Sequence, residues 1–270
     1  MKKVILITGV STGFGRAAAS LLAERGHTVY GTVRRDCETD PKVNVLKMDL
    51  TKEDSVKEAV DTIVSREGRI DVLINNAGMH IGGPCETSPM EHVRLIMDTN
   101  FLGMVRVTRA VLPVMRKQQG GRIINFSSIG GLMGLPFQPY YSASKFAIEG
   151  FSEALRAELL RFRIKVIVIN PGDFNTNNTK NRQGFLAPTG EGDPYRDNYA
   201  NALANIERDE TNGGKPEKLA AKLVKIVECK NPASRYKIGA FIQKISVSVK
   251  RMLTASTWTK IIAMFYNIKY

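Results

Sequence analysis

Short apolar segments rich in β-branched residues alternate with amphipathic segments along most of this chain. The apolar segments lie at 3–8, 28–33, 43–48, 71–74, 122–127 and 164–169, and the helical patterns lie near 15–25, 52–66, 87–117 and 140–161. Alternation of this kind is typical of a parallel sheet whose right-handed crossovers place helices on both faces. The sequence therefore predicts an α/β protein with a doubly wound parallel sheet of about seven strands.

The length of 270 residues is compatible with a single domain of this type. A chain of this size buries about three quarters of its extended surface, which is enough for one core without disulfides. We therefore predict a single Rossmann-type domain over residues 1–270.

Two segments depart from the alternation. Residues 173–214 are polar and rich in turn-forming residues, which is typical of a substrate lid or a mobile insertion, and residues 241–270 form a basic amphipathic helical tail.

The positive charge is concentrated towards the end of the chain. The sequence has 39 Lys and Arg against 26 Asp and Glu, a formal net charge of +13, and residues 215–270 carry +10 of it. The segments 241–253 and 258–268 mix lysines with aliphatic and aromatic residues and contain no acid. Two interpretations remain open: basic amphipathic helices that contact an anionic membrane surface, or helices that pack on the domain with a solvated basic face. We expect no nucleic-acid partner, because the charge is local.

The cysteines and histidines suggest neither a disulfide framework nor a metal site. Cys37, Cys85 and Cys229 are odd in number, far apart and outside CxxC spacing, which favours a reducing, cytoplasmic compartment. The three histidines share no metal-ligand spacing, so we expect no metal. No apolar run reaches the roughly 18 residues of a membrane-spanning helix, so we expect a soluble protein or one peripheral to a membrane.

Three glycines lie at the junction of the first predicted strand and the first predicted helix. Gly9, Gly13 and Gly15 follow the GxxxGxG spacing within the segment TGVSTGFG. Glycines at such a junction allow a tight turn and let the backbone approach a pyrophosphate, which then lies at the helix N-terminus. A glycine triplet alone is weak evidence, but here the strand, turn and helix follow in the required order.

A tyrosine and a lysine four residues apart begin the helical pattern at 140–161. Tyr141 and Lys145 share one helix face, so the ammonium can lie near the phenol and favour its ionised form. This would bring the Tyr141 pKa towards the range useful for acid–base catalysis. Ser128 follows the buried-strand pattern 122–127, at the carboxyl end of a central strand, where open α/β sheets bind ligands.

Together these motifs resemble the signature of the short-chain dehydrogenase/reductase family. The elements of the family pattern occur in order, namely Gly9, Gly13 and Gly15, then Asn75 to Gly78, Asn100, Ser128, Tyr141 with Lys145, and Pro171-Gly172 with Thr176. The resemblance runs from residue 3 to about residue 176. It is closest to the hydroxysteroid and retinol dehydrogenase-like branch, through the stretch 130–145 and the segment 235–239.

The resemblance implies a role for each catalytic residue. Tyr141 would donate a proton to a carbonyl that is reduced, or accept one from an alcohol that is oxidised. Lys145 would lower the Tyr141 pKa and bind the nicotinamide ribose, and Ser128 would stabilise charge on the substrate oxygen. Asn100 would hold a water that links Lys145 to solvent. Tyr140 is excluded as the acid, because no lysine follows it at the fourth position.

The residues after the second strand indicate which cofactor is bound. Members specific for NAD carry an acid at the position of Val33, and here Arg34 follows instead, which suits the 2′-phosphate of NADP. NADP is therefore favoured over NAD, although Arg34 could also be a solvated surface charge. The predicted cofactor contacts are Gly9, Ser11, Gly13, Phe14, Gly15, Arg34, Asp49, Leu50, Asn76, Ala77, Gly78, Tyr141, Lys145, Pro171, Gly172 and Thr176.

The branch resemblance implies a hydrophobic carbonyl or alcohol substrate such as a steroid, a retinoid or a lipid-derived ketone. Leu132, Met133, Leu135 and Phe137 are consistent with an apolar pocket, and equally with core packing. Two alternatives are a ketoacyl-carrier-protein reductase, whose terminal VDGG-like segment is missing here, and a non-catalytic dinucleotide sensor. The family also implies a homodimer that pairs through the helical stretches 87–117 and 140–161.

Overall fold

Within the residues that the structure describes, seven parallel strands form one sheet. The structure is a computed structural model and describes residues 1–176, 182–187 and 189–269. The strands are β1 (Val4–Thr8), β2 (Thr28–Val33), β3 (Asn44–Lys47), β4 (Val72–Asn75), β5 (Gly121–Phe126), β6 (Ile164–Pro171) and β7 (Arg235–Ile238). Their order is β3-β2-β1-β4-β5-β6-β7, and every neighbouring pair is parallel. The predicted doubly wound fold is confirmed.

Helices cover both faces of this sheet. The α-helices of the described ranges are α1 (Gly13–Glu24), α2 (Glu53–Glu67), α3 (Met90–Met97), α4 (Gly103–Lys117), α5 (Pro139–Glu158), α6 (Arg196–Thr211), α7 (Pro216–Glu228), α8 (Phe241–Lys250) and α9 (Ala255–Phe265). One apolar core lies between the sheet and α1 with α7, and a second lies between the sheet and α2, α4 and the end of α5. Covering on both faces explains why every residue of β1 and β4 is buried.

The helical pattern predicted at 87–117 is interrupted in the structure. A single π-helical turn, Asp98–Leu102, separates α3 from α4. Such turns insert one residue into the helical repeat and are frequent at functional sites. Here the turn directs the side chain of Asn100 into the protein, where it is 1% exposed.

The polar segment 173–214 contains more regular structure than its composition indicates. Helix α6 occupies its second half, and Tyr199, Ala202 and Ile206 form its buried face at helical spacing. Turn-forming asparagines at neighbouring positions hide this pattern in the sequence. Residues 177–181 and 188, which belong to the predicted lid, lie outside the described residues.

The basic tail forms two helices that pack on the domain. Val247 of α8 and Trp258 of α9 join Ile129 and Met133 in a small apolar cluster, and Tyr266 joins another with α6. The tail therefore packs on the domain, as one of the two interpretations expects. The described helices include none with the length and hydropathy needed to cross a bilayer.

Candidate active site

The glycine turn after β1 is locked to the end of β4 by hydrogen bonds. Backbone NH groups of Asn76 and Ala77 both donate to Oγ1 of Thr8, each at 3.0 Å. The side-chain nitrogen Nδ2 of Asn76 donates to the carbonyl oxygens of Thr8 and Gly9, both at 2.9 Å. The NNAG segment therefore holds the glycine turn in shape from a neighbouring strand.

The glycines of this turn are required by close contacts and by backbone conformation. Gly9 and Gly13 have φ angles of 72° and 60°, in the left-handed region that favours glycine. A Cβ on Gly15 would lie 2.1 Å from the carbonyl oxygen of Gly9, so no side chain fits there. A Cβ on Gly13 would find its nearest neighbour at 3.8 Å, in Thr176. The turn leaves an open cradle at the start of α1, which fits a dinucleotide pyrophosphate.

Two charged residues border the far side of this cradle. Arg34 follows β2 with an exposed side chain that lines the cleft, and Asp49 lies across from it after β3. Asp49 accepts hydrogen bonds from the backbone and the hydroxyl of Thr51, and these, together with the positive charge of Arg34, lower the pKa of its carboxyl. The acid that an NAD site would carry at position 33 is absent, as the sequence indicates.

Asn100 is fixed by three hydrogen bonds. Its Oδ1 accepts from the backbone NH of Met79 at 2.7 Å, and its Nδ2 donates to the carbonyl oxygen of Met79 at 2.9 Å and to Oγ of Ser144 at 3.1 Å. Because Ser144 precedes Lys145 on α5, Asn100 connects the β4 loop to the helix that carries the tyrosine and the lysine.

The three residues expected to perform chemistry lie together at the carboxyl edge of the sheet. Ser128 lies close enough to the Tyr141 hydroxyl to influence its pKa, and Lys145 Nζ lies 5.7 Å from the centroid of the Tyr141 ring. Lys145 Nζ donates to the carbonyl oxygen of Phe126 at 3.0 Å. Tyr140 instead donates its hydroxyl to the carbonyl oxygen of Cys85 at 2.9 Å, away from this group.

The Tyr141 pKa differs from the sequence-based expectation. Burial and the negative charges of Glu210 and Asp173 raise the pKa of Tyr141 to about 12, and the hydrogen bond from Ser128 opposes them only in part. Burial also lowers the pKa of Lys145 to about 8, opposed by the charge of Glu149. In the protein alone, the predicted lowering of the Tyr141 pKa by Lys145 is therefore not found, and the phenol is protonated at neutral pH.

A buried polar cluster beside Tyr141 has no counterpart in the sequence analysis. The His80 ring lies 4.2 Å from the Tyr141 ring between centroids, and His80 Nδ1 lies 3.0 Å from Nη1 of Arg182. Arg182, 1% exposed, donates to both carboxylate oxygens of Glu210 at 2.8 and 2.9 Å. Burial and the charge of Arg182 lower the pKa of His80 to about 3, so the imidazole is neutral. His80 and Arg182 lie 102 positions apart in the chain and Arg182 and Glu210 lie 28 apart, so no local spacing could reveal the cluster.

A further carboxylate, Asp173, lines the cleft directly after β6. It accepts a hydrogen bond from Nε2 of Gln243 on α8, and its backbone NH donates to Oε1 of the same amide at 3.2 Å. Burial, followed by the charges of Glu210 and Asp209, raises the Asp173 pKa to about 6. Glu210 pairs with Arg182 and Asp209 with Arg208, whereas no described cation lies within 4 Å of the Asp173 carboxylate.

One continuous cleft of about 870 Å³ joins these groups. It runs from the glycine turn, past Tyr141, to apolar side chains of α8 and α9. Every residue predicted to bind the cofactor lines this cleft except Gly15, which packs beneath the turn. On the side away from the glycine turn, the walls are mainly apolar and include Met133, Leu135, Ile245, Trp258 and Phe265.

Comparisons with known proteins agree with this arrangement. The family model for short chain dehydrogenases matches residues 3–185. A 3-ketodihydrosphingosine reductase of Bacteroides thetaiotaomicron is 49% identical over 267 residues, covering 99% of each chain. Human retinol dehydrogenase 8 is 36% identical over 184 residues, which are 63% of this chain and 58% of that protein. The crystal structure of a short-chain dehydrogenase from Streptomyces avermitilis superposes with a TM-score of 0.78 at 30% identity, covering 97% of this chain and 98% of the other.

Proposed function

Because the chain belongs to the short-chain dehydrogenase family of NAD(P)-binding oxidoreductases, we propose that it reduces the ketone of 3-ketodihydrosphingosine, or of a closely similar long-chain amino ketone, with NADPH. The observation that carries this proposal is the half-buried carboxylate of Asp173, which lines the cleft near Tyr141 and has no cation within 4 Å among the described residues. The similarity to the Bacteroides reductase over the whole chain supports the same substrate class.

Tyr141 is the proton donor of this reaction. Its raised pKa keeps the phenol protonated at neutral pH, which is the form needed when a ketone becomes an alcohol. The Ser128 hydroxyl, which lies beside Tyr141, binds the carbonyl oxygen and stabilises the negative charge that develops on it. The two hydroxyl groups thus bind the same substrate atom.

Lys145 and Asn100 restore the proton that Tyr141 gives up. Lys145 has a pKa of about 8, so it is mostly charged at pH 7 but can release a proton readily. Asn100 Oδ1 uses one lone pair for the NH of Met79, which leaves the other for a water between Lys145 and solvent.

The cofactor is held by the glycine cradle and by Arg34. The cradle binds the pyrophosphate through backbone NH groups at the start of α1, and Arg34 pairs with the 2′-phosphate of NADP. When bound, the reduced nicotinamide supplies the hydride. Lys145 would bind the nicotinamide ribose, and Pro171, Gly172 and Thr176 line the same cleft and would contact the cofactor.

Asp173 recognises the amino group of the substrate. In 3-ketodihydrosphingosine the amine is attached to the carbon next to the ketone, so its binding group has to lie near the proton donor. The carboxylate of Asp173 is close enough to Tyr141 to raise its pKa, and it has no cationic partner among the described residues. A steroid or a retinoid offers no cation to this carboxylate, and burying it unpaired is costly.

The described parts of the segment 173–214, which are residues 173–176, 182–187 and 189–214, belong to the lid over this substrate. Arg182 extends from the lid to His80 beside Tyr141 and is paired with Glu210 of α6. Removing one partner from a buried ion pair typically costs about 3–5 kcal/mol, so this pair holds two parts of the segment together, and the contact of Arg182 with His80 connects them to the reaction centre.

The test measures NADPH oxidation with 3-ketodihydrosphingosine, with the matching 3-ketone that lacks the amine, and with a ketosteroid. We expect the amino ketone to have the highest kcat/KM, and Asp173→Asn to raise its KM about tenfold or more while leaving the KM of the amine-free ketone unchanged. Tyr141→Phe should lower kcat at least about a hundredfold, with NADPH binding retained.

Tyr140→Phe is the matched control, since it removes the neighbouring phenol, which points away from the site. A ketosteroid or an acyl thioester used better than the amino ketone would overturn the proposal. Equal effects of Asp173→Asn on the KM values of both long-chain ketones would show that Asp173 does not bind the amine.

A further inference from the structure

Exposed apolar side chains are concentrated on the two tail helices. The described residues include fifteen large hydrophobic side chains that are exposed, and eight of them lie in a segment of 25 residues. We call these eight the tail face, and they are Phe241, Ile242, Ile245, Val249, Met252, Ile261, Met264 and Phe265. Large exposed apolar patches of this kind mark interaction surfaces.

The tail face is a stripe on each helix and not a sign of poor packing. On α8, Ile242, Ile245 and Val249 recur at a helical spacing of three and four residues, while Val247 points inward and is buried. On α9, Ile261, Met264 and Phe265 recur in the same way and are exposed, whereas Trp258 of the same helix is buried. Each helix is therefore anchored to the domain by a buried residue, Val247 or Trp258, and leaves several other apolar residues exposed.

The charge around this face has a single sign. Residues 235–270 contain seven basic residues and no acid. Arg251, Lys260 and Lys269 are exposed. An apolar stripe bordered by cations is complementary to a bilayer with anionic headgroups, because the headgroups attract nearby Lys and Arg side chains.

The tail face is continuous with the mouth of the catalytic cleft. Ile242, Ile245, Val249, Ile261 and Phe265 are exposed and also line the cleft that contains Tyr141. A surface that docks on the tail face therefore lies against the opening of the cleft. A second copy of the chain is a poor occupant, because symmetric pairing would bring the same basic residues together without an acid to match them.

We infer that the tail face docks on an anionic lipid bilayer, so that a lipid-borne ketone passes from the membrane into the cleft without crossing water. Docking depends only on the tail face, whereas the passage of substrate rests on the proposed function. The two parts are therefore tested by separate measurements.

The first measurement is cosedimentation of the full chain with vesicles of phosphatidylcholine, with and without phosphatidylglycerol. We expect binding to the anionic vesicles that weakens as the salt concentration rises. The double variant Met252→Glu/Met264→Glu should weaken that binding at least about tenfold, because it replaces two of the exposed apolar contacts with anions. Neither methionine lines the cleft, and they are 84% and 69% exposed, so the fold is retained.

Leu160→Glu is the matched control. Leu160 is 73% exposed but precedes β6, at the edge of the sheet opposite the cleft. This variant should bind vesicles like the unchanged chain. Absence of binding to anionic vesicles, or equal binding by the double variant and the unchanged chain, would overturn the inference. A dimer that the double variant dissociates would assign the face to a second copy instead.

The second measurement compares a short, water-soluble amino ketone with the long-chain ketone embedded in anionic vesicles. The double variant should retain kcat/KM for the soluble ketone and lose at least about tenfold for the embedded one. A loss with the soluble ketone as well would contradict a role in docking. Vesicle binding requires no turnover, so it can succeed even if the proposed substrate is wrong.

Discussion

At the scale of single residues, short-range motifs and long-range contacts differ in how far the sequence reveals them. The spacing of Tyr141 and Lys145 places both on one helix face, and Ser128 ends a strand, so their meeting at the edge of the sheet was predictable. Arg182 and Glu210 reach this edge from a segment without regular sequence pattern, and the charge of Glu210 helps to raise the Tyr141 pKa above its ordinary value. The position of the site was therefore predictable, but its electrostatics were not.

Arg34 is expected to determine the preference for NADPH. Replacing it with Ala should raise the KM for NADPH about tenfold or more and change the KM for NADH less than about twofold, because only NADPH carries the 2′-phosphate. The measurement is steady-state kinetics with both cofactors. Arg35→Ala is the control, since Arg35 is equally exposed but does not line the cleft. A similar rise in KM for both cofactors would show that Arg34 does not bind the 2′-phosphate.

The binding of the amino ketone should depend on pH through Asp173. The pKa of this carboxyl is raised to about 6, so the carboxylate is lost as the pH falls through that value, while the substrate ammonium remains protonated. The groups that influence it are Asp209 and Glu210 on α6, Arg182, and Gln243 on α8. We expect the KM of the amino ketone to rise below about pH 6, towards tenfold per unit. The KM of the amine-free ketone should stay constant, and a parallel rise would assign the titration to another group.

At the scale of elements, the strands and their order were easier to predict than the helices around the cleft. Strands of a parallel sheet are short apolar runs, and six of the seven matched such runs closely, although the edge strand β3 is mostly exposed. The π-helical turn at Asp98–Leu102 leaves the apolar repeat on either side nearly unchanged, so 87–117 reads as a single helix. In α6, packing of Tyr199, Ala202 and Ile206 overrides the turn preference of the asparagines around them.

Replacing glycine with alanine should have opposite effects on the free energy of unfolding at Gly15, in the first turn of α1, and at Gly150, in α5. Gly15→Ala should lower the free energy of unfolding by about 1–3 kcal/mol and weaken NADPH binding, because its Cβ would overlap the carbonyl oxygen of Gly9. Gly150→Ala, in α5, has open space around it and should raise the free energy of unfolding by about 0.5–1 kcal/mol. Urea unfolding of both variants measures this, and equal stability would contradict the close contact at Gly15.

At the scale of the whole molecule, we predict a homodimer that pairs through α4 and α5. Leu102 and Phe146 lie before α4 and on α5, with 43% and 42% of their surfaces exposed. The double variant Leu102→Glu/Phe146→Glu should change the mass measured by light scattering from that of two chains to 29.9 kDa. Leu160→Glu should leave the dimer intact. A monomeric unchanged chain would rule out the pairing.

The parallel arrangement of the strands also places the cleft at one edge of the sheet and the first residues of the chain at the opposite edge. Every loop that borders the cleft follows the carboxyl end of a strand, whereas residues 1–3 precede β1 at the opposite end. Five residues of β1 span about 16 Å. An affinity tag or a fluorophore attached at Met1 would therefore face away from the cleft and the tail face. A sensor chip that holds the protein through Met1 would leave the cleft and the tail face accessible to vesicles.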